Sequence, residues 1–199
     1  MDAYAAWAPS YPPYAHNPLM EVEQTAMLSL LPPVAGRRVL DAGCGTGRYL
    51  QLLEALGARV VGMDLSAAMI ARARSLSARL LRADMTALPL AAGCCDVVVS
   101  GLAVIDIQML DAVAAEWARV LCRRGVVVYS TVHPIGRDLG WQRTYASDGL
   151  SRSLPAHWHS VEDHRRACAT AGLDIETIDE PALTRGGHAV AMVIRARRK

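Results

Sequence analysis

Phenylalanine is absent from the 199 residues, so four Trp and six Tyr supply every large aromatic ring apart from histidine. A large excess of either charge is also missing, with 21 Lys and Arg against 19 Asp and Glu. The net charge of +2 offers no electrostatic case for a nucleic-acid partner. Apolar residues reach 52%, yet no run approaches the ~18 residues of a membrane span, so no membrane partner is expected. The five cysteines are an odd number, and Cys94 and Cys95 are adjacent, which fits neither a disulfide framework nor a zinc-ligand spacing. No metal is therefore expected. The opening Met1-Asp2-Ala3-Tyr4 has no basic region followed by an apolar stretch, which predicts no secretory signal and a cytoplasmic location. No internal repeat or long linker divides the chain, and its length suits one domain with a full core.

What is present centres on Val39-Leu40-Asp41-Ala42-Gly43-Cys44-Gly45-Thr46-Gly47-Arg48-Tyr49-Leu50. It reads as a buried strand, a glycine-rich turn and a helix. Glycines at every second position permit positive φ and let a ligand lie against the main chain. A dinucleotide site uses G-x-G-x-x-G to hold a pyrophosphate. Here the pattern is D-x-G-x-G-x-G, and Asp41 would repel a diphosphate while welcoming a cation.

The stretch resembles the first motif of the class I S-adenosylmethionine (SAM) methyltransferases. The resemblance is close over roughly residues 35–131 and is nearest to the small-molecule enzymes of the ubiquinone and menaquinone type. It implies an α/β fold: a doubly wound seven-stranded sheet, order 3-2-1-4-5-7-6, with the last strand antiparallel. It also implies SAM as cofactor, S-adenosylhomocysteine as product and a small-molecule acceptor. Asp41 would lie near the methionine amino end, with Gly43, Gly45 and Gly47 forming the cradle. Asp84 would accept from the adenine amine, and the backbone of Met85 would bind a ring nitrogen. Leu65 and Ser100, at strand ends, are further cofactor candidates. Relatives often carry a histidine pair where Ile105 and Asp106 stand, and Pro-Gly-Gly where this chain has Arg123-Arg124-Gly125.

Taken in order, residues 1–20 form an aromatic arm in which four prolines prevent a long helix. It either packs on the core or folds over the pocket as a lid, and Tyr11 is the lid residue favoured by the resemblance. Apolar spacing predicts a helix over 19–31, then strand 38–42, helix 48–56 ended by Gly57, and strand 59–63. Asp64 follows, 17 residues after Gly47, where an acidic residue grips ribose hydroxyls. Ser66 caps a helix over 66–75, in which Met69 is either core or the face under an adenine. Strands over 79–82, 96–100 and 126–132 alternate with a helix over 109–121, for which Asp106 is the expected cap.

The last of these strands delivers His133-Pro134, placing His133 at the sheet's carboxyl end as either the general base or a hydrogen-bonded structural histidine. Residues 137–159 are longer than an ordinary crossover loop and read as an insertion with a β-hairpin turning at Asp148-Gly149. Trp141, His157 and His159 are its expected acceptor-pocket residues; a metal held by the two histidines with His133 is disfavoured, because no carboxylate or cysteine accompanies them at ligand spacing. Ser160 through Asp163 reads as a capping box for a helix that ends at Gly172, with His164 as a surface or packing residue. An antiparallel pair over 174–178 and 188–195 follows, and the basic end is expected to be a solvated tail.

Three other readings use parts of the same pattern. A nicotinamide-dependent dehydrogenase would share Asp64 but conflicts with Asp41 and the glycine spacing. A noncatalytic SAM-binding protein would need no acceptor cavity. A base-methylating enzyme would carry Asn-Pro-Pro-Tyr where this chain has Ser100-Gly101-Leu102-Ala103.

Overall fold

The computed structural model describes residues 3–74, 79–147 and 149–199. A seven-stranded sheet forms its centre. In chain order its strands are β1 (Arg38–Ala42), β2 (Arg59–Asp64), β3 (Leu80–Arg82), β4 (Cys95–Ser100), β5 (Leu121–Val132), β8 (Leu173–Asp179) and β9 (Ala191–Arg198). The spatial order is β3-β2-β1-β4-β5-β9-β8, with β1 to β5 parallel and β9 antiparallel to both neighbours. The hairpin strands β6 (Arg143–Ser147) and β7 (Leu150–Leu154) pair only with each other. Without them the order is the expected 3-2-1-4-5-7-6.

The near-continuous apolar strands are buried on both faces, and alternate residues enter two different cores. Val97, Val99, Val126 and Val128 join Met27, Leu50 and Leu53 on one side. Val98, Val127 and Tyr129 join Trp117, Ala167 and Cys168 on the other. The first side is covered by α2 (Pro18–Leu30) and α3 (Arg48–Ala55), the second by α5 (Leu110–Val120) and α7 (Val161–Thr170). Trp117 and Tyr129 pack with ring centroids 4.9 Å apart and planes tilted by 48°.

Local signals in the sequence reappear as geometry. The Ser160 side chain accepts from the Asp163 N–H and Asp163 accepts from the Ser160 N–H, closing the capping box. Ser66 caps α4 (Ala67–Ala73), Arg74 is its C-cap, and residue 75 of the expected helix lies outside the described residues. Gly149 takes φ +73° at the hairpin turn, while Asp148 lies outside the described residues.

Three expectations are corrected. β5 starts at Leu121 because Cys95 already pairs with it, and residues 122–125 then bulge before Val126 pairs with Val97. Arg124 turns that bulge at φ +62°, so no Pro-Gly-Gly is needed. The basic end is no tail: Arg195 and Arg197 lie in β9, both bonded to Glu176, and Arg198 donates to the Leu121 carbonyl. Asp106 caps nothing; the residue before α5 is Met109, with no side-chain cap.

Candidate active site

One cavity of about 910 Å³ opens at the carboxyl ends of β1, β2 and β4, the place where open α/β sheets bind ligands. Its size lies near the upper end of the range for small-molecule sites. Asp41, Gly43, Gly45, Asp64, Leu65, Asp84, Met85 and Tyr11 all line it, as does Met69.

The glycine loop is built as its spacing requires. Gly43, Gly45 and Gly47 have φ of +76°, +54° and +99°, conformations that side chains resist. A Cβ at Gly43 would lie 2.6 Å from the Ala103 Cβ. The Gly43 and Cys44 N–H groups donate to the Met63 carbonyl at 2.7 and 2.9 Å, stitching the loop to the end of β2.

Asp64 continues that stitching. Its carboxylate accepts from the Gly45 N–H and the Ser66 N–H, both at 2.8 Å. A carboxylate offers about four acceptor sites, which suits it to hydroxyl donors such as those of a ribose. Asp84 is similarly anchored, accepting from the Thr86 N–H and hydroxyl at 2.8 Å.

Asp41 is different. It is 1% exposed, and among the described residues neither carboxylate oxygen makes a well-formed hydrogen bond. Burial pushes its pKa up to about 7; the Arg48 charge opposes the shift, Asp64 adds to it, and the Leu50 backbone lies near enough only to oppose it. Such a carboxylate requires donors that the protein does not supply. A ligand ammonium supplies them, whereas a diphosphate would set two anions together. The cavity therefore fits SAM: a ribose over Asp64, a cationic amino-acid end near Asp41, and backbone exposed at the glycine loop.

Beneath the loop lies a network that sequence reasoning missed. Glu23, fully buried, accepts from Arg48 at 2.7 Å, from the Tyr49 hydroxyl at 3.0 Å and from the Ser130 hydroxyl at 2.5 Å. Arg48 also lies 4.4 Å from the Tyr49 ring centroid. The signal was the spacing: Glu23 is four before Met27 and seven before Leu30, on the helix's buried side.

The roof comes from the arm and the hairpin. Tyr4 and Trp7, on α1 (Ala3–Trp7), line the cavity with Tyr11 and His16, and Gln142, Arg143 and Thr144 line it from the hairpin. The Tyr4 hydroxyl donates to Asp106 at 2.6 Å, and Arg143 donates to the same carboxylate at 2.6 and 3.2 Å. Trp7 packs on Tyr145 at 5.5 Å. At its other end the arm is pinned to the cofactor side: Thr46 donates to the Pro12 carbonyl, Gln51 to that of Pro13 and Arg72 to that of Pro9.

Six sequence-predicted site residues lie away from the cavity, Gly47 among them, which is buried at the N-cap of α3. His133 reaches the end of β5, but Val132 takes the cavity-lining position there. The His133 ring instead accepts from the Ile135 N–H at 3.2 Å and donates to Glu180 at 2.9 Å, which leaves no nitrogen free to act as a base. Ser100 is fully buried, with its hydroxyl against the Met85 sulfur at 3.9 Å. Trp141 packs beside Gly136, where an added Cβ would come within 2.5 Å of its ring. His157 donates its backbone N–H to the Ile105 carbonyl, and His159 donates from Nε2 to the Ile107 carbonyl at 2.6 Å. Those two fasten the returning chain instead of lining a pocket. His164 is wholly buried against the Tyr129 hydroxyl, and burial lowers its pKa to about 3.

Comparison with known proteins agrees with this geometry. A family model described as a methyltransferase domain matches residues 40–129. Malonyl-[acyl-carrier protein] O-methyltransferase from Pectobacterium atrosepticum is 36% identical over 151 residues, covering 72% of this chain and 58% of that protein. The protein of the same name from Enterobacter lignolyticus is 37% identical over 132 residues, covering 65% and 52%. The chain thus spans little more than half the length of these curated relatives. A crystal structure of an S-adenosylmethionine-dependent methyltransferase from Mesorhizobium loti superposes with a TM-score of 0.76 at 25% identity, covering 89% of this chain and 98% of that one. Its sheet order, its glycine loop and these likenesses together show the Rossmann-like fold of the SAM-dependent methyltransferases, with a methyltransferase-domain match over residues 40–129.

Proposed function

We propose that this chain transfers a methyl group from SAM to a small-molecule acceptor held beneath the arm and the hairpin. The observation that carries the reading is the buried, unpartnered carboxylate of Asp41 on the wall of a large cavity. When bound, SAM supplies an electrophilic methyl on a sulfonium sulfur, and the chain's own task is alignment and exclusion of water.

In this reading Asp41 receives the cofactor's ammonium, and Asp64 receives the ribose hydroxyls while keeping its bonds to Gly45 and Ser66. Asp84, Met85 and Leu65 surround the adenine with Met69. Trp7, Ile107 and Leu154 give the remaining cavity an apolar wall, with Tyr4, Asp106 and Arg143 as its polar part. The arm and the hairpin act as lid elements and keep water from the transfer.

Isothermal titration with SAM, S-adenosylhomocysteine and NAD tests the cofactor. Binding of the first two alone is expected, and NAD binding would overturn the reading. Turnover is then followed as S-adenosylhomocysteine release over a panel of phenols, amines and carboxylates. The panel includes malonyl-acyl carrier protein, the acceptor in the relatives' names. Cofactor binding without turnover on any acceptor would favour a noncatalytic SAM-binding protein.

A further inference from the structure

We propose that His16 is the general base of the reaction and that the acceptor is methylated at a weakly acidic hydroxyl, such as a phenol. The inference rests on the methyltransferase reading above. Of the six histidines in the chain, His16 is the one on the cavity wall.

Its ring is held in a defined state. Nδ1 lies 3.2 Å from the Tyr14 carbonyl, and a carbonyl only accepts, so Nδ1 carries the proton. Nε2 is therefore the nitrogen with a lone pair. The ring meets Tyr11 edge-on at 5.3 Å between centroids. The segment bearing it is fixed on both sides, by the Thr46 and Gln51 bonds to Pro12 and Pro13 and by Asn17, which caps α2 through the Met20 N–H. A base on a fixed segment keeps its approach angle. His16 is also exposed to solvent, which gives an accepted proton a route to water.

Three of the four carboxylates on the cavity wall are already committed, and burial raises the Tyr11 pKa so that its hydroxyl stays protonated. Asp64 and Asp84 accept from backbone N–H groups, and Asp106 accepts from Tyr4 and Arg143. Arg48 is paired with Glu23, and Arg143 with Asp106, so the charges around Tyr11 compensate one another. Asp41 answers the cofactor's own cation. Imidazole is the side chain best matched to proton transfer near neutral pH.

The step balances without a further reactant. The acceptor oxygen forms a bond to the methyl carbon as the sulfur–methyl bond breaks and its electron pair stays on sulfur. The hydroxyl proton passes to Nε2 of His16. The positive charge lost from the sulfonium then resides on the imidazolium until water takes the proton. A carboxylate acceptor has no proton to lose at neutral pH and would leave His16 without a role.

The test uses the full chain, the acceptor panel above and the variant His16→Gln, whose amide can still donate to the Tyr14 carbonyl. The expected result is turnover on a phenolic acceptor that falls by about a hundredfold or more in the variant. SAM affinity should stay within about threefold, the acid limb of the kcat profile should vanish, and added imidazole should restore rate to His16→Ala. Turnover confined to carboxylates, amines or no panel member overturns the proposal, as does an unchanged rate or pH profile in the variant. A loss of SAM affinity that matches the loss of rate assigns His16 to cofactor binding and also overturns it. Failure of the wild-type chain to bind SAM is a separate outcome, which removes the methyltransferase reading itself.

Discussion

Glu23 and Arg48 form an ion pair at 2.7 Å with side-chain exposures of 0% and 8%, directly behind the glycine loop. The two come from α2 and α3, and the pair ties the helix following the loop to the helix preceding β1. The Tyr49 and Ser130 hydroxyls complete the carboxylate's partners, so neither charge is left bare. Desolvation of such a pair offsets much of its attraction, but removal of one member strands the other.

Glu23→Ala should therefore destabilise the fold by about 3–5 kcal/mol, measured by urea unfolding. The paired variant Glu23→Leu with Arg48→Met should recover much of that loss. If Glu23→Ala unfolds at the wild-type midpoint, the pair contributes no stability.

Asp41 makes cofactor binding depend on pH. Its pKa of about 7 in the free protein lies above the ordinary carboxylate range because of burial. The folded chain thus binds a proton that the unfolded chain has lost between about pH 4 and pH 7. With more protons bound when folded, stability decreases as pH rises through this window, and the destabilisation is complete above about 7. A cationic ligand favours the ionised form, so SAM affinity should rise from pH 6 to 7.5 with release of a proton. Calorimetry in two buffers of different ionisation enthalpy measures that proton, and Asp41→Asn should abolish it.

Asp64 holds two backbone N–H groups and, in the proposed function, the ribose. Asp64→Ala removes all of these charge-assisted bonds, each worth about 1.5–3 kcal/mol. SAM affinity should drop by at least about tenfold, and an unchanged Kd would remove the ribose role. Asp64→Asn keeps one acceptor and should lie between.

Tyr4, Asp106 and Arg143 join the arm, the turn after β4 and the hairpin at one carboxylate. Burial, reinforced by Asp106, raises the Tyr4 pKa, so the hydroxyl stays a donor across the physiological range. Tyr4→Phe removes the arm's share of the junction. Release of S-adenosylhomocysteine, followed by stopped flow, should speed up several-fold with little change in thermal stability. An unaltered release rate would deny the arm a gating role.

Much of this architecture is written locally. The alternation of Val97, Val98 and Val99 between two cores is a property of any extended chain, and the apolar run needed both faces covered. The capping box at Ser160 and the N-cap at Ser66 involve groups a few residues apart. Asp41, Gly43, Gly45 and Asp64 were legible because a strand end and a tight turn place them with little help from the rest of the molecule.

His133 shows where that reasoning stops. The proline after it correctly put the residue at the end of β5, but Glu180 from a distant segment, with the neighbouring Ile135 N–H, turned the ring away. The approach of Arg143 to Tyr4, 139 residues away in sequence, depends on how the arm and the hairpin pack, and nothing in either segment announces it. The bent helix-to-strand passage at Arg124 likewise follows from the early pairing of Leu121 with Cys95.

By itself the sequence determined the strands and a cradle suited to a cation, because strand burial, glycine conformation and short-range hydrogen bonds depend on near neighbours, while the strand order followed from the family resemblance. Only the tertiary structure decided which side chains face the cavity. Side-chain direction at a strand end is set by partners from distant segments, and those partners withdrew His133, His157 and His159 while bringing His16 and Arg143 to the wall.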